Sequence, residues 1–569
     1  MEAKAPQIHS DPTQPHWPEA VLSRRDRLRV SSTFQWIMII VLLVVVPTVA
    51  LIGLALFRDS VPPVTAGRGV PMASGGECGD WPTQSWCTST PEEQGMDPLM
   101  LDRMMQFVDE HNMTIDSVLV VRHGKIVFEE YRNGYDSQRK HHLQSVTKSF
   151  SSMLIGIAIH EGLIESVDQR MVDLFPEHTI ANMNARKHSI TLENLLTMSD
   201  GMDWHELDYP YTDSRNTLGQ MWNSRDAVEH VLNRPMESDP GQAWAYNSGT
   251  SILLGGIIEQ VAGRDVQSFA REYLFDPIGV GPVFWDKTTG NHYHTDGGLY
   301  MTPRDMARFG YLMLHNGTWD GREIVSAEWV ARSSTAHYQT NGGYGYGYQW
   351  WIFPDGIGYA ARGHYEQIIF VLPEADLVVV FTANIPDNDP YRADGLLHRF
   401  ILPACIDLPE EAVSQTYAKY GFTLEYPRGY SVIETPIAGR DTVSDASGLV
   451  QFQSFWFPPD LINVVWDVPE VGADPEVYLE EFFASISQDS GLEVTKGTST
   501  GARKGDHEVL VQSFDLTEGK LALAAATGVW HCKESGRVYI LTYATEPETD
   551  SQDVQTRFQQ YLDAFVCHE

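Results

Sequence analysis

A serine and a lysine stand three residues apart at the start of an apolar segment, Ser145-Val-Thr-Lys148 followed by SFSSMLIGIAIHEG. The segment is apolar nearly all round, which predicts a buried helix over residues 145–162. Positions three apart lie on one helical face, so the Lys148 amine can reach the Ser145 hydroxyl. Burial disfavours the charged form of lysine, so this pair suits a serine nucleophile with a lysine base. An N-cap serine without chemistry is the alternative.

The same spacing occurs at Ser137-Gln-Arg-Lys140, within the polar run YRNGYDSQRKHH. No apolar helix follows this second match, and we interpret it as a solvated loop. The bare Ser-x-x-Lys pattern is therefore weak, and the apolar segment after Ser145 is what distinguishes the first match.

Two further segments carry groups that could serve a serine nucleophile. Tyr246-Asn-Ser248-Gly precedes the helical pattern TSILLGGIIEQVAG, and a tyrosine at such a corner can relay a proton. A core tyrosine with a bonded hydroxyl is the alternative. Gly363-His-Tyr-Glu-Gln367 enters the apolar strand IIFVLP, whose edge could supply a backbone N–H to an oxyanion. An ordinary strand start is the alternative there.

A third polar pattern, His292-x-His294-x-Asp296, has residue types that bind metal ions. A polar loop is the other reading, and we favour it. The sequence therefore predicts no metal and no cofactor.

Composition excludes several classes of protein. The 569 residues include 40 Lys+Arg and 76 Asp+Glu, a net charge of −36, which argues against a nucleic-acid partner. Five cysteines in a chain of this length do not make a disulfide scaffold. The length predicts two or three domains, each with its own core.

Residues 36–57 read WIMIIVLLVVVPTVALIGLALF, 22 residues without a charge. About 20 apolar residues span a bilayer, so we predict a transmembrane helix over 33–57 that contacts lipid through 36–57. Four arginines precede the run and two follow it within twenty residues: Arg24, Arg25, Arg27 and Arg29, then Arg58 and Arg68. The positive-inside rule places the N-terminus in the cytoplasm and the rest of the chain outside.

The predicted domain organisation follows from changes in residue composition and hydrophobic pattern along the chain. Residues 1–32 form a cytoplasmic tail, and 58–89 and 408–418 read as linkers. Residues 90–407 have strands at both ends and helices between them, an α+β pattern, and residues 419–569 read as a small α/β domain of short strands with two helices. An outside location permits disulfides; the spacing suggests up to two bridges, from Cys78 with Cys87 and Cys532 with Cys567, and does not fix the connectivity.

The order of these motifs resembles the serine β-lactamase and penicillin-binding-protein family, in its class C-like branch of esterases, D-aminopeptidases and 6-aminohexanoate-oligomer hydrolases. Five segments look like family blocks in family order: LQSVTKSF, ITLENLLTMSDGMDW, YNSGTSILLGGIIE, GGLYMTPRDMARFGYLML and GHYEQIIFVLPEADLVVVF. The resemblance covers about residues 90–400. It implies an antiparallel sheet flanked by helices, a helical subdomain, and a site between them.

The resemblance also implies the roles of the site residues. Ser145 is the acylated nucleophile, Lys148 its base partner and Tyr246 the proton relay. The backbone N–H groups of Ser145 and Gln367 form the oxyanion hole, and Ser248 and His364 are expected at the substrate. The loop at residues 292–296 is expected to cover the site, because the family block GGLYMTPRD follows it immediately in the sequence. The C-terminal segment resembles a PsbP-like fold in its order of strands and helices, which suggests a ligand- or partner-binding module.

Two motifs depart from the family pattern. The second motif is usually Tyr-x-Asn, whereas Ser248 stands at its third position here, as in ester and amide hydrolases of the family. The third motif usually carries small residues after its first position, whereas this chain has Tyr365 and Glu366. A bulky ring and an anion at this place predict poor β-lactam turnover, because Glu366 would repel the carboxylate that β-lactams carry.

These inferences predict a membrane-anchored serine hydrolase that cleaves a small-molecule or peptide ester or amide through an acyl-enzyme on Ser145. A ligand-binding or sensor protein on the same scaffold is one alternative, motivated by the altered third motif. A penicillin-binding D-Ala-D-Ala carboxypeptidase is the other.

Overall fold

The computed structural model describes residue 79 and residues 81–567 apart from short gaps at 341, 388, 410–413, 437–441, 455–459, 470–473, 490–492, 519–520 and 547–550. Two units result, the first unit at residues 81–409 and the second unit at residues 414–567. In the described part of the chain no helix is long and apolar enough to cross a bilayer. The predicted transmembrane helix lies outside the described residues.

The first unit contains fourteen short and long strands among its described residues. They are β1 Cys87–Thr88, β2 Ile115–Arg122, β3 Lys125–Tyr131, β4 His141–His142, β5 Phe284–Trp285, β6 Leu299–Met301, β7 Thr318–Trp319, β8 Arg322–Glu323, β9 Tyr338–Gln339, β10 Gly345–Tyr346, β11 Trp351–Ile352, β12 Tyr359–Gly363, β13 Gln367–Leu372 and β14 Leu377–Ala383. Nine of them form one sheet in the order β1-β3-β2-β14-β13-β12-β11-β10-β9. All pairs of this sheet are antiparallel except β1 with β3.

Helices cover both faces of this sheet. They are α1 Pro98–Glu110, α2 Val146–His160, α3 Ala185–His188, α4 Leu192–Leu196, α5 Thr217–Trp222, α6 Ala227–Leu232, α7 Ser248–Ala262, α8 Val266–Ala270, α9 Pro303–Leu314, α10 Ala327–Ser333, α11 Ala393–Leu396 and α12 Leu402–Ala404. Side-chain caps start many of them: Asp97 accepts from the Leu99 amide before α1, and Thr302 from the Asp305 amide before α9, each followed by a proline.

Two hydrophobic cores lie on opposite faces of the sheet. One core joins the sheet to α2, α7 and α9, and it contains Phe150, Leu254 and Phe309. The other core packs α1 and the helices after β14 against the far face. Every residue of α2 from Val146 to Ala158 is buried, as its all-round apolar pattern predicts. This burial is what takes the first turn of α2 out of bulk water.

The described part of the second unit contains a seven-stranded antiparallel sheet with one helix on each face, and a separate two-stranded hairpin. Its strands are β15 Ser414–Lys419, β16 Phe422–Pro427, β17 Tyr430–Thr435, β18 Ser447–Ser454, β19 Leu461–Asp467, β20 Glu493–Lys504, β21 His507–Glu518, β22 Leu521–Cys532 and β23 Arg537–Thr545. The sheet order is β17-β18-β19-β23-β22-β21-β20, beside the hairpin β15-β16. Helix α13, Pro475–Asp489, packs on one face and α14, Ser551–Ala564, on the other. Because the strands are antiparallel, this unit is α+β rather than the predicted α/β; the PsbP-like likeness stays a prediction.

The predicted linkers are shorter than the sequence indicated. Trp86 is buried in the first core and β1 pairs with β3, so the end of the 58–89 stretch belongs to the first unit. Residues 414–418 lie in β15, which pairs with β16. Short strands without a hydrophobic alternation carry little sequence signal, which explains both differences.

The cysteines are only partly as predicted. Cys87 is disulfide-bonded, and its predicted partner Cys78 lies outside the described residues. Cys532 and Cys567 are present as thiols whose Sγ atoms lie 2.6 Å apart. The second predicted bridge is therefore not formed in the structure, although the two side chains meet.

Candidate active site

Ser145 and Lys148 meet at the start of α2. Lys148 Nζ donates to Ser145 Oγ at 2.9 Å and to the Asp296 carbonyl oxygen at 2.5 Å. The N-cap alternative is wrong, because the Ser145 side chain caps none of the amides of the described helix. The hydroxyl that the sequence singled out is instead held by the buried lysine. Ser137, in the other Ser-x-x-Lys match, lies in an exposed turn as predicted.

Strand β12 passes directly beside the nucleophile. A Cβ atom built on Gly363 would collide with the Leu143 carbonyl oxygen and lie 3.1 Å from the Ser145 amide nitrogen. Gln144, the residue before the nucleophile, has a left-handed φ of 51°. Such a backbone is uncommon outside glycine and is retained where surrounding contacts hold it. The strand edge, the turn at Gln144 and the start of α2 thus form one close-packed corner.

Tyr246 completes the predicted group. Lys148 Nζ lies 5.3 Å from the centre of its ring, and the Ser145 side chain is near enough to its phenol to oppose the rise in the Tyr246 pKa. The backbone at this corner is fixed by Asn247, whose side chain caps α7 by accepting from the Gly249 amide at 2.8 Å. The hydroxyl, the amine and the phenol, from two distant stretches of sequence, therefore lie together.

Burial shifts the pKa values of Lys148 and Tyr246 in opposite directions. Burial lowers the pKa of Lys148, although the charges of Glu206 and Asp296 oppose the shift. Burial, reinforced by the Glu206 charge, raises the pKa of Tyr246 well above its ordinary value. Near neutral pH the phenol keeps its proton, and the amine is the group that is more readily deprotonated than usual. These shifts suit Lys148 to act as a base and Tyr246 to act as a proton donor, and the two roles stay predictions.

The loop at residues 292–296 lies against this site, as predicted. The Asp296 carbonyl oxygen accepts from Lys148, and the Asp296 carboxylate accepts from Trp222 Nε1 at 3.3 Å and His294 Nδ1 at 3.1 Å. His292 is instead bonded to the Glu259 carboxylate at 2.8 Å. The two histidines therefore contact different carboxylates, and the pattern has no convergent metal geometry in the described loop.

The third motif forms the turn between β12 and β13. Gly363 pairs with Gln367, and Tyr365 and Glu366 both have left-handed φ angles. The Gln367 side chain donates to the Ala383 carbonyl oxygen at 2.5 Å and is buried. The Gln367 side chain is therefore not available as an oxyanion donor, and the predicted role of its backbone N–H stays a prediction. His364 Nε2 donates to the Asp387 carboxylate at 2.9 Å.

The prediction that Glu366 places an uncompensated negative charge beside the substrate is wrong. Glu366 accepts from the Ala393 amide at 3.0 Å and from Arg392 at 3.3 Å. Burial raises its pKa, as does the neighbouring Asp394 carboxylate. The Glu366 carboxylate is therefore bound to the segment after β14 and is not an uncompensated anion in the cleft.

Comparison with known proteins fits this geometry. The sequence profile of the β-lactamase family matches residues 101–402, more than half of the 569 residues. The chain belongs to the β-lactamase family. It is 26% identical over 312 residues to the 6-aminohexanoate-dimer hydrolase of Paenarthrobacter ureafaciens, covering 50% of this chain and 77% of that protein. It is 26% identical over 152 residues to the lovastatin esterase of Penicillium rubens, covering 24% of this chain and 38% of the esterase.

Among solved structures, a family VIII carboxylesterase is 16% identical, with a TM-score of 0.44 over 56% of this chain and 99% of the esterase. The family match and the named relatives identify the chain as a serine hydrolase of the β-lactamase family. The match ends before the second unit begins.

Ser248, at the family's second motif, does not face the nucleophile directly. Its hydroxyl donates to Glu206 Oε1 at 2.7 Å, and its amide donates to Glu206 Oε2 at 2.9 Å. Trp204 Nε1 donates to the same carboxylate at 2.9 Å. Burial raises the pKa of Glu206, and the Lys148 charge opposes that shift. Glu206 is the charged residue that sequence reasoning missed, since it lies in a polar loop whose local sequence has no distinguishing pattern.

Three exposed aromatic side chains surround the cleft. Tyr211 is 43% exposed and lies 5.8 Å from the His364 ring, which stacks on Tyr365 at 3.9 Å. Tyr365 is 38% exposed, and Trp222, bonded to Asp296, is 47% exposed. Exposed large aromatics beside polar catalytic groups are typical of ligand-binding surfaces. Tyr211 and Trp222 gave no signal in the sequence, because only the fold brings them to the site, whereas Tyr365 stood out as a departure from the family's third motif.

Proposed function

We propose that the protein hydrolyses an ester or amide through an acyl-enzyme on Ser145. Ser145 Oγ attacks the substrate carbonyl carbon while its proton passes to the neutral amine of Lys148. The carbonyl oxygen becomes an oxyanion, which the N–H groups of Ser145 and Gln367 stabilise. The single observation that carries this proposal is the 2.9 Å hydrogen bond between buried Lys148 and the Ser145 hydroxyl, beside the Tyr246 phenol.

The remaining steps return every group to its starting state. Tyr246 donates its proton to the leaving alcohol or amine as the single bond between the carbonyl carbon and that group breaks. The Tyr246 phenol then recovers a proton from the Lys148 ammonium. Water then attacks the acyl carbon with Lys148 as base, and the bond to Ser145 Oγ breaks as that oxygen regains a proton. The raised pKa of Tyr246 supports this order, since a protonated phenol can donate at neutral pH.

The substrate class follows from the surroundings of the site. Tyr211, Tyr365 and Trp222 are exposed beside it, which favours a substrate with an apolar or aromatic group next to the scissile bond. Two relatives, the 6-aminohexanoate-dimer hydrolase and the lovastatin esterase, support amide or ester cleavage. The bulky turn at Tyr365 leaves poor β-lactam turnover as a prediction.

An activity screen tests this proposal. The full chain in detergent is offered p-nitrophenyl esters, D-amino-acid amides and nitrocefin, and is labelled with a fluorophosphonate. We expect ester or amide turnover, a covalent label on Ser145, and a loss of at least about 10³-fold in Ser145→Ala. Ser137→Ala, which alters the other Ser-x-x-Lys match in an exposed turn, is the matched control and keeps full activity.

The outcomes separate the alternatives. Turnover that survives Ser145→Ala, or labelling at another serine, contradicts the proposal. A stable adduct with a fluorescent penicillin and release of D-alanine from a D-Ala-D-Ala peptide would favour a carboxypeptidase instead.

We also propose that residues 33–57 anchor the protein in a membrane with the hydrolase outside. The 22 uncharged residues 36–57 and the preceding arginines support this placement. Carbonate washing should leave the full chain with the membranes, whereas a chain lacking residues 1–57 should be released. Protease added to intact cells should digest a C-terminal tag and spare an N-terminal tag; the opposite pattern contradicts the orientation.

A further inference from the structure

Four side chains with metal-binding atoms converge at one end of the second unit's sheet. Cys532 ends β22, Glu534 lies in the turn after it, His507 begins β21, and Cys567 follows α14. Cys532, His507 and Cys567 are buried, at 0%, 6% and 3% exposure. The Glu534 side chain is 47% exposed, which leaves a path from solvent. The sequence had suggested only a disulfide for the two cysteines.

His507, Cys532 and Cys567 each place one donor atom within 4.8 Å of the other two, and Glu534 completes a ring of four by lying beside His507 and Cys532. Cys567 Sγ lies 3.5 Å from His507 Nε2, which lies 3.3 Å from Glu534 Oε2. The same carboxylate oxygen lies 3.5 Å from Cys532 Sγ, and the two Sγ atoms lie 2.6 Å apart. In a tetrahedral zinc site with Zn–S of about 2.3 Å and Zn–N of about 2.0–2.1 Å, neighbouring ligand atoms lie about 3.3–3.8 Å apart. Three of the four sides of the ring already have this length.

We propose that His507, Cys532, Glu534 and Cys567 bind one zinc ion as a structural site. Two thiolates, an imidazole and a carboxylate suit zinc better than calcium or magnesium, which prefer oxygen ligands. On binding, the two thiols release two protons and the two sulfur atoms separate by about 1 Å to take tetrahedral positions. Four protein ligands leave no open position, so the ion has no role in hydrolysis.

The position of the ligands gives the site a mechanical role. Cys567 comes after the last helix, and the neighbouring Val566 pairs with Thr423 of β16. A zinc ion would therefore tie the end of the chain to β21 and β22 and hold α14 on its face of the sheet. A disulfide between the cysteines would make the same tie but would give the converging imidazole and carboxylate no function.

Metal analysis of the full chain tests the proposal. The protein is purified in detergent without chelator from zinc-supplemented cells, and its zinc is measured by inductively coupled plasma mass spectrometry. We expect about one zinc per chain, falling at least tenfold in Cys532→Ser, Cys567→Ser and His507→Gln. His531→Gln, on the opposite face of the same strand, and Cys405→Ser, a buried thiol of the first unit, are controls that retain the zinc.

A second measurement on the unaltered chain keeps the test valid if the variants fail to fold. Alkylation of Cys532 and Cys567 should be slow in the purified protein and fast after a strong chelator, and chelation should lower the melting temperature. Replacement of zinc by Co²⁺ should give thiolate-to-cobalt absorption bands. A linked Cys532–Cys567 peptide in unreduced digests, or zinc-free protein with both thiols rapidly alkylated, would overturn the proposal.

Discussion

Lys148 Nζ lies 5.3 Å from the centre of the Tyr246 ring, yet burial moves the pKa values of these two neighbours in opposite directions. Burial penalises whichever form carries a charge, so the amine of Lys148 loses its proton more easily and the phenol of Tyr246 less easily. Opposite shifts of two neighbouring groups suit one to act as a base and the other as an acid, which is the assignment that we propose. The site is therefore prepared for proton transfer before a substrate arrives.

Tyr246→Phe removes the relay while it keeps the ring. We expect kcat to fall about 10²–10⁴-fold with little change in KM, because the leaving group loses its proton donor. Steady-state kinetics on an ester with a poor leaving group provide the measurement. The fall in kcat should be smaller on an activated nitrophenyl ester, because its leaving group needs no proton. Tyr359→Phe, a buried tyrosine that bonds the Met313 carbonyl oxygen at 3.3 Å, is the control.

Glu206→Gln tests the electrostatics of the base. Glutamine can keep the bonds to Ser248 and Trp204, since the Ser248 hydroxyl can turn to accept from the new amide. The Glu206 charge raises the pKa of Lys148, so its removal lowers that pKa further. Activity needs the free amine and rises with pH through the Lys148 pKa. The acid limb of kcat/KM should therefore move to lower pH, by about 1 unit or more.

A matched substitution checks that this shift is local. Glu129→Gln alters a largely buried carboxylate that binds Arg304 at 2.6 Å, on β3. Its pH profile should coincide with that of the unaltered protein. An acid limb that stays in place in Glu206→Gln, or moves to higher pH, would show that Lys148 is not the base.

The sequence predicts the residues that react better than the residues that tune them. Ser145, Lys148 and Tyr246 stand out because their types and spacings match a helix start and a strand-to-helix corner. Glu206 and Tyr211 lie in irregular loops, where no periodicity indicates the direction of a side chain. The role of Glu366 was wrong for the same reason, because Arg392 and Ala393 reach it only through the fold.

At the scale of elements, the site depends on how closely β12 approaches the start of α2. Gly363→Ala places a methyl group against the Leu143 carbonyl and beside the Ser145 amide. The strand must move away, and a displacement near 1 Å at a catalytic group can lower activity by about 10²-fold. We expect kcat to fall at least about tenfold with a lower melting temperature. Gly501→Ala on β20, where nothing lies within 4 Å, should change neither.

The same scale shows which elements a sequence reveals. Strands β13 and β14 are apolar and fully buried, and β13 coincides with the predicted strand IIFVLP to within one residue. Strand β20, EVTKGTSTGARK, was missed because most of it is exposed and it has no hydrophobic alternation. It forms because β21 offers it a full edge of hydrogen bonds. Its existence is thus a property of the sheet rather than of its own residues.

At the scale of the whole molecule, Glu546 of the second unit contacts the segment that follows β14. It accepts from the Tyr391 hydroxyl at 2.6 Å and lies 3.6 Å from the buried Arg399 guanidinium. The same segment carries Asp387, bonded to His364, and Arg392, bonded to Glu366. One stretch of chain therefore touches both the third motif and the second unit.

Glu546→Gln tests whether this contact supports the site. Loss of the charge facing Arg399 should lower the free energy of unfolding by about 1–3 kcal/mol, because a buried cation loses a compensating anion. Hydrogen exchange in peptides covering 384–392 should accelerate, and kcat/KM should fall several-fold. Glu480→Gln, which breaks an exposed pair with Lys496 at 3.0 Å, should leave all three unchanged. Faster exchange at 384–392 with an unaltered kcat/KM would mean that the second unit holds this segment without influencing hydrolysis.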